Sequence, residues 1–229
     1  MGRNTAVQLP PLIEDLSLSY RLRLATEPAT GLVVLLHGVG HNETGLAGFL
    51  NLLPSSLAVA LVRSPIQAGP NAYRAFTVNF TPKGPMIDAA EAESSRRMLV
   101  CFIGELQART GIPAARTLIA GFSQGGIMSA GLALTAPETV AGFGILSGRI
   151  LPEISPLIAP REKLSHLSAL ILHGEQDDVL PAAWAERSAG LLHQLGVPFE
   201  QHRYAAGHEI TPDMEAAFAA WVERRLSPA

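Results

Sequence analysis

A serine lies between glycines near the middle of the chain. Residues 121–126 have the order Gly-Phe-Ser-Gln-Gly-Gly, after a predicted strand at 117–120 and before a helix of small residues. A serine on such a strand-to-helix turn exposes its hydroxyl above the sheet, and glycines two positions away let strand and helix approach closely. The pattern therefore predicts that Ser123 is a nucleophile.

A nucleophilic serine needs a base and an acid. Its hydroxyl is weakly reactive at neutral pH, so a histidine must accept its proton and a carboxylate must orient that histidine. Both partners follow this type of serine turn in the chain. His208 comes after the last predicted strand, on a glycine-containing loop. Three acids follow the predicted strand 167–172, and spacing favours Asp177 while leaving Glu175 and Asp178 open.

A second turn follows the buried strand predicted at 31–36, with the order His37-Gly38-Val39-Gly40-His41. Hydrolysis of an acyl bond develops negative charge on the carbonyl oxygen, which preorganised N–H groups stabilise by a few kcal/mol. We expect the N–H groups of Val39 and Gln124 to form this oxyanion hole. We expect His37 to be structural, and no metal site at His37 and His41, because no motif places a third ligand.

Short apolar segments alternate with helical patterns along the whole chain. The pattern predicts a single α/β domain over residues 1–229, with a mostly parallel sheet covered by helices on both faces. The stretches 64–85 and 149–166 are predicted to be loops that shape a substrate groove. The predicted strands are 16–24, 31–36, 57–63, 116–120, 140–146, 167–172 and 199–204, and the helices are 44–53, 88–109, 124–135, 182–195 and 214–226, the last capped by Thr211.

Composition excludes several classes of protein. Of the 229 residues 48% are hydrophobic and 16% charged, and the net charge of −3 includes no basic run, so we expect no nucleic-acid partner and no stable membrane association. The N-terminus shows no apolar signal segment, which predicts a cytoplasmic protein. Cys101 is the single cysteine, which excludes an intrachain disulfide, and its apolar neighbours predict a buried core thiol.

These motifs together resemble the phospholipase/carboxylesterase family of α/β-hydrolases, which includes acyl-protein thioesterases and small bacterial carboxylesterases. The similarity runs over residues 18–226. The resemblance implies an α/β-hydrolase fold without a separate lid domain, no cofactor, an oxyanion hole at Val39 and Gln124, and Asp177 as the acid. Its most specific pieces are residues 36–40, residues 121–126, the His-Gly-x-x-Asp-x-x-x-Pro pattern of 173–181, and Gly207-His208-Glu209.

Two departures from the family pattern concern the substrate groove. Relatives often have a tryptophan before an aromatic residue beside the site, whereas this chain has Ala75 and Phe76, which predicts a wider groove with Phe76 in contact with substrate. His41 stands where many bacterial relatives have glycine. We expect His41 to contact substrate, with a surface substitution as the alternative.

The sequence thus predicts a serine carboxylesterase that hydrolyses short- to medium-chain esters of small molecules through an acyl-enzyme. Ser123 attacks, His208 transfers the proton and Asp177 orients His208. An acyl thioesterase or lysophospholipase is the alternative within enzymes. A catalytically silent hydrolase-fold binding protein is the alternative from another class. The chain is expected to be a monomer or a homodimer.

Overall fold

A computed structural model of the chain describes residues 8–26, 28–81 and 84–227. From residue 31 onward, the strands of the central sheet alternate with helices, as the hydrophobic pattern predicts, except that four additional short strands lie between residues 66 and 87. The strands are β1 Leu12–Ile13, β2 Tyr20–Arg23, β3 Gly31–Leu36, β4 Leu57–Val62, β5 Ile66–Gly69, β6 Ala72–Arg74, β7 Val78–Thr81, β8 Gly84–Ile87, β9 Thr117–Phe122, β10 Gly142–Leu146, β11 Ser168–Gly174 and β12 Phe199–Tyr204. The helices are α1 Phe49–Leu52, α2 Ala89–Thr110, α3 Gln124–Thr135, α4 Arg161–Leu164, α5 Ala183–Leu195 and α6 Pro212–Leu226.

One eight-stranded sheet runs through the molecule in the order β1-β2-β4-β3-β9-β10-β11-β12. Strand β2 pairs antiparallel with both of its neighbours, and the pairs from β4 to β12 are parallel. The carboxyl ends of the parallel strands therefore lie at one edge of the sheet. This is the edge at which open α/β sheets place their ligands.

Helices cover both faces of the sheet. Alternate side chains of β3 belong to opposite cores: Val34 lies in the cluster formed with α2, α3 and α5, and Val33 lies in the cluster formed with α1 and α6. Both residues are fully buried. Burial on both faces explains why these strands are uninterrupted apolar runs instead of alternating ones, and the α/β-hydrolase fold predicted from the sequence is confirmed.

Helix α2 corrects the expectation for Cys101. Leu99, Phe102 and Leu106 face the sheet, as the helical stripe predicts, but Cys101 is exposed, and so is Met98 at the edge of the stripe. The Cys101 thiol accepts a hydrogen bond from the Ser17 hydroxyl at 3.3 Å instead of packing in the core. The prediction of a buried thiol was wrong because apolar neighbours in sequence lie on different faces of a helix.

The predicted loop 64–85 contains regular structure. Strands β5 and β6 form one antiparallel hairpin, and β7 and β8 form another. The stretch 149–166 likewise contains a short 3-10 helix, Pro152–Leu157, and α4. These strands are short and lie in a stretch rich in Pro and Gly, so their sequence is hard to tell from that of a loop.

The start of α3 lies directly against strands β3 and β9. A methyl group at Gly125 would collide with the carbonyl oxygen of Leu36, and one at Gly121 would collide with the backbone of Gly125. The predicted need for glycine on both sides of Ser123 is therefore confirmed. Backbone lies on backbone here, with no side chain between.

We predict that Gly125→Ala lowers the free energy of unfolding by at least about 2 kcal/mol, because helix and strand must separate to admit the methyl group. Gly104→Ala is the matched control. Gly104 is an exposed glycine inside α2 with open space around it, so alanine there is expected to raise stability by about 0.5–1 kcal/mol. Urea denaturation of both variants measures the difference, and equal effects would contradict the close approach.

Candidate active site

Ser123 occupies the turn between β9 and α3 in a strained conformation. Its φ of 53° and ψ of −116° are unfavourable for a residue with a side chain. Hydrogen bonds on both sides hold the turn: the Ser123 N–H donates to the Leu146 carbonyl at 2.8 Å, and the Ser123 carbonyl accepts from the Ile127 N–H at 3.1 Å. The strain directs the hydroxyl out of the sheet and toward the neighbouring loops.

His208 lies between Ser123 and Asp177. Its Nε2 is 2.9 Å from the Ser123 Oγ, and its Nδ1 is 2.7 Å from the Asp177 Oδ2. These three residues are separated by 54 and 31 positions in sequence, yet they form one hydrogen-bonded line. The structure therefore brings together Ser123, His208 and Asp177, the three residues that the sequence nominates as nucleophile, base and acid.

The Asp177 carboxylate is buried and fixed by its own loop. Its Oδ1 accepts hydrogen bonds from the N–H groups of Val179 at 3.0 Å and Leu180 at 2.7 Å, which leaves Oδ2 for His208. Glu175 and Asp178, the two alternatives, are exposed. Of the three acids, Asp177 is the one in contact with His208.

His173, at the end of β11, is buried beside this loop. It has no exposed surface, and its Nε2 lies 2.7 Å from the Leu180 carbonyl and 3.4 Å from the Asp177 Oδ2. The ring thus fixes the far end of the loop at Leu180 and lies beside the carboxylate. The contacts of the His173 ring are therefore with residues of this loop.

Backbone hydrogen bonds join the loops that carry Asp177 and His208. The Glu175 N–H donates to the Tyr204 carbonyl at 2.8 Å, and the Gln176 N–H donates to the Ala206 carbonyl at 2.9 Å. The ring of Phe122 lies under His208, with a centroid distance of 4.9 Å. Parallel pairing of β11 and β12 therefore continues into the loops and sets the distance between Asp177 and His208.

Two residues that line the groove beside Ser123 have backbone N–H groups without a hydrogen-bond partner among the described residues. Neither Val39 nor Gln124 donates its backbone N–H to another group in the described parts of the chain. Both residues line the same groove as Ser123. Free, preorganised donors at this position can receive the charge that develops on an ester carbonyl oxygen.

His37 holds the turn before Val39, as the sequence suggested. Its Nδ1 is 2.7 Å from the Gly38 carbonyl, and its Nε2 accepts a hydrogen bond from the Ser64 N–H at 3.0 Å. Since one nitrogen faces a carbonyl and the other accepts from an N–H, the ring is neutral with its proton on Nδ1. Both nitrogens are occupied, so neither is available to a metal ion.

A mainly apolar groove of about 250 Å³ opens beside the Ser123 hydroxyl. His41 and Phe76, the two predicted substrate contacts, both line it. So does Arg149, a residue that the sequence analysis missed because an arginine in a loop carries no motif. The remaining lining residues are Gly38, Val39, Val78, Pro85, Ile87, Phe122, Ser123, Gln124, Ile127, Val179, Leu180 and His208.

Ala75 does not widen this groove. Its side chain is buried and borders a separate small cavity together with Ser95 and Leu99 of α2. Phe76, the next residue, faces the groove instead. The expectation that Ala75 leaves space for substrate was wrong, because Ala75 packs toward α2 and is not among the residues that line the groove.

The groove wall at 75–77 is held by side chains. The Gln124 amide accepts from the Ala75 N–H at 2.7 Å and donates to the Phe76 carbonyl at 2.9 Å. From α2, the Ser95 hydroxyl donates to the Ala75 carbonyl at 2.5 Å, and the Glu91 carboxylate accepts from the Thr77 N–H at 2.6 Å. Gln124 thus places its backbone at the nucleophile and its side chain at the wall.

Comparison with known proteins agrees with this geometry. A model of the phospholipase/carboxylesterase family matches residues 21–223. The chain is 31% identical over 217 residues to acyl-protein thioesterase 1 of Emericella nidulans, an alignment that covers 82% of this chain and 87% of that protein. The chain belongs to the phospholipase/carboxylesterase family.

Other members and solved structures are similar over nearly their whole length. Acyl-protein thioesterase 1 of Eremothecium gossypii is 27% identical over 224 residues, covering 90% of this chain and 92% of that protein. A crystal structure of a carboxylesterase from Mesorhizobium loti superposes with a TM-score of 0.81 at 22% identity, covering 95% and 99% of the two chains. The crystal structure of esterase PE8 gives a TM-score of 0.74 at 26% identity, with 96% and 100% covered.

As a phospholipase/carboxylesterase, the protein is a carboxylic ester hydrolase of the serine type that acts on small-molecule esters. The family inferred from the motifs is confirmed. Across the described ranges, no helix has the length and apolar character needed to cross a bilayer.

The state of His37 makes the stability of this phospholipase/carboxylesterase depend on pH. Burial lowers the pKa of His37, although the hydrogen bond with the Gly38 carbonyl acts in the opposite direction. A histidine with a lowered pKa in the folded state stabilises the fold above its unfolded pKa of about 6.5 and loses that contribution as the pH falls.

We predict that His37→Gln costs about 1–3 kcal/mol of unfolding free energy near pH 8, where both hydrogen bonds are intact in the parent. The difference between parent and variant is expected to shrink toward about pH 5, because the unfolded parent then binds a proton that the folded state resists. Urea titrations at both pH values measure it. A difference independent of pH would contradict a neutral, buried ring.

Proposed function

We propose that the protein is a serine carboxylesterase that hydrolyses short- to medium-chain esters through an acyl-enzyme. One observation carries the proposal: His208 is within hydrogen-bond distance of both Ser123 and Asp177, at the mouth of an apolar groove. A base placed between a hydroxyl and a buried carboxylate can accept the serine proton while the carboxylate stabilises the imidazolium.

In the first half of the reaction, the Ser123 Oγ forms a bond to the acyl carbon and its proton passes to the His208 Nε2. The carbonyl oxygen becomes an oxyanion and accepts hydrogen bonds from the N–H groups of Val39 and Gln124. The bond to the alcohol oxygen then breaks, and His208 returns the proton to the leaving alcohol. The acyl group remains on Ser123 as an ester.

In the second half, water replaces the alcohol. His208 takes a proton from the water, the resulting hydroxide attacks the acyl carbon, and the bond to the Ser123 Oγ breaks as that oxygen recovers the proton. Asp177 remains ionised and holds His208 in the tautomer with its proton on Nδ1. No cofactor takes part in these steps. Phe76 and His41 border the groove that receives the substrate.

Thioester hydrolysis is the second candidate, favoured by the similarity to two proteins named acyl-protein thioesterase 1; a lysophospholipase is a further alternative. The same steps cleave an oxygen ester or a thioester. Two substrates with the same acyl group, one an ester of an alcohol and the other a thioester of the corresponding thiol, decide between these activities by their ratio of kcat/KM. A strong preference for the thioester would replace the carboxylesterase proposal. A catalytically silent binding protein would require neither the strained serine nor its base.

We predict that a fluorophosphonate labels Ser123 and that Ser123→Ala remains folded but loses nearly all turnover, because no other hydroxyl contacts His208 among the described residues. Mass spectrometry of the labelled protein locates the site. Labelling at another serine, or full activity of the variant, would assign the nucleophile elsewhere.

We predict that Asp177→Asn lowers kcat by about three to four orders of magnitude, because an amide at this position favours the wrong imidazole tautomer. Asp178→Asn is the matched control, since Asp178 is the adjacent exposed acid, and it is expected to change kcat by less than about threefold. Steady-state hydrolysis of p-nitrophenyl butyrate compares the two. The reverse ranking would move the acid to Asp178.

A further inference from the structure

Arg149 is a buried cation on the wall of the catalytic groove. It follows β10, retains 4% of its exposure, and lines the same groove as Ser123 and His208. The proposed ester hydrolysis assigns it no role. Arginine is rarely buried this completely unless its charge is paired.

The described residues provide no counterion for this guanidinium. Within the described ranges, Arg149 forms no ion pair and donates no hydrogen bond, and its Nε is enclosed without a partner. Burial lowers the pKa of Arg149, while the charge of Glu153 opposes that effect and the charge of Arg187 adds to it. A buried charge that lacks a partner is unfavourable by several kcal/mol, so the burial of this guanidinium beside the catalytic groove calls for an explanation in terms of function.

The surroundings fix Arg149 in place. Its guanidinium lies over the ring of Trp184 on α5, 4.3 Å from the centroid. The next residue, Ile150, donates its N–H to the Ser188 hydroxyl at 3.1 Å, which ties this loop to α5. A methyl group on Gly148 would touch the Ser123 carbonyl at 3.0 Å, so the loop also lies against the nucleophile turn. An arginine stacked on an aromatic face keeps its edge donors free.

Among its described lining residues, the groove offers an anion one cationic side chain and no carboxylate. Aspartate and glutamate are absent from its lining, which apart from Arg149 consists of apolar side chains, Gly38, Ser123, Gln124 and the two histidines. A neutral acyl chain in this groove leaves the guanidinium unpaired. A substrate with a carboxylate can form two parallel hydrogen bonds with the planar guanidinium, in surroundings that strengthen them.

We propose that Arg149 binds a carboxylate carried by the substrate, so that the preferred substrates are esters bearing a second, anionic carboxyl group. The inference rests on the proposed ester hydrolysis at Ser123 and specifies its substrate class. The carboxylate can belong to the acyl part, as in a half-ester of a dicarboxylic acid, or to the alcohol part. Both sources present the same planar anion to the guanidinium.

Two matched substrate pairs test the proposal and distinguish the sources. For the acyl side, p-nitrophenyl hydrogen adipate is compared with its neutral amide, p-nitrophenyl adipamate. For the alcohol side, p-acetoxybenzoate is compared with p-acetoxybenzamide. In the parent enzyme we expect kcat/KM for the acid of one pair to exceed that for its amide by at least about tenfold. Parity or an amide preference in both pairs would overturn the proposal.

Arg149→Met removes the charge and is expected to lower the ratio of kcat/KM for the acid to kcat/KM for its amide from at least about tenfold to about one. Arg187→Gln is the matched control, because Arg187 also lies over Trp184, at 4.6 Å, but is exposed and outside the groove. The control should keep the preference. If Arg149→Met does not fold, Arg149→Lys, which keeps the charge but loses the planar pair of donors, is expected to reduce the preference at least about threefold.

A binding measurement tests recognition of the carboxylate by Arg149 without relying on turnover. In Ser123→Ala, calorimetric titration with monomethyl adipate, or with p-acetoxybenzoate if the alcohol pair shows the preference, should give a dissociation constant at least about tenfold lower than titration with the matching amide. This difference should vanish when Arg149→Met is added. Hydrolysis of neutral esters without any acid preference would refute the role of Arg149 alone. Absence of all ester hydrolysis together with intact anion binding would refute the proposed function instead.

Discussion

The direct contact between the backbone of α3 and the backbone of β3 is the constraint on which the rest of the site depends. Gly125 lies against the Leu36 carbonyl with no room for a side chain. Because the helix begins so close to the strands, the chain must reverse within one residue. Ser123 takes that reversal and the unfavourable φ that goes with it. The same approach places the Gln124 N–H beside the turn at Val39.

The remaining parts of the site follow from parallel strands that end at one edge. Strands β3, β9, β11 and β12 deliver, in order, the turn at Val39, Ser123, the loop of Asp177 and the loop of His208. Hydrogen bonds between the last two loops continue the pairing of their strands. The geometry of acid and base is therefore inherited from a rigid sheet, and the loops need little stability of their own.

The sequence predicted the parts of the fold and site that depend on local pattern or chain order. The glycines around Ser123 reveal a close approach, and the uninterrupted apolar strands reveal burial on both faces. The order of serine, aspartate and histidine nominated residues that the structure places in hydrogen-bond contact. Spacing alone did not decide which of three acidic residues contacts His208. The answer depends on which carboxylate points inward, and the folded loop determines that.

Features that depend on contacts between distant segments of the chain could not be predicted from the sequence. The orientation of Ala75 and Phe76 depends on hydrogen bonds from Gln124 and α2, more than ten residues away in the chain. The exposure of Cys101 depends on the rotation of α2 about its axis. Arg149 belongs to no motif, and its burial arises from Trp184, 35 residues later. Each of these features is set by tertiary packing, which overrides the preferences of neighbouring residues.

The segment that carries Phe76 has a consequence for how this enzyme can diverge. Its backbone is suspended from the side chains of Glu91, Ser95 and Gln124, and two of these belong to a helix that does not border the groove. Exchanging a residue on that helix shifts the aromatic wall while the reactive groups stay where they are. Mutations on α2 can therefore change which substrates fit the groove without altering the residues that react with the substrate.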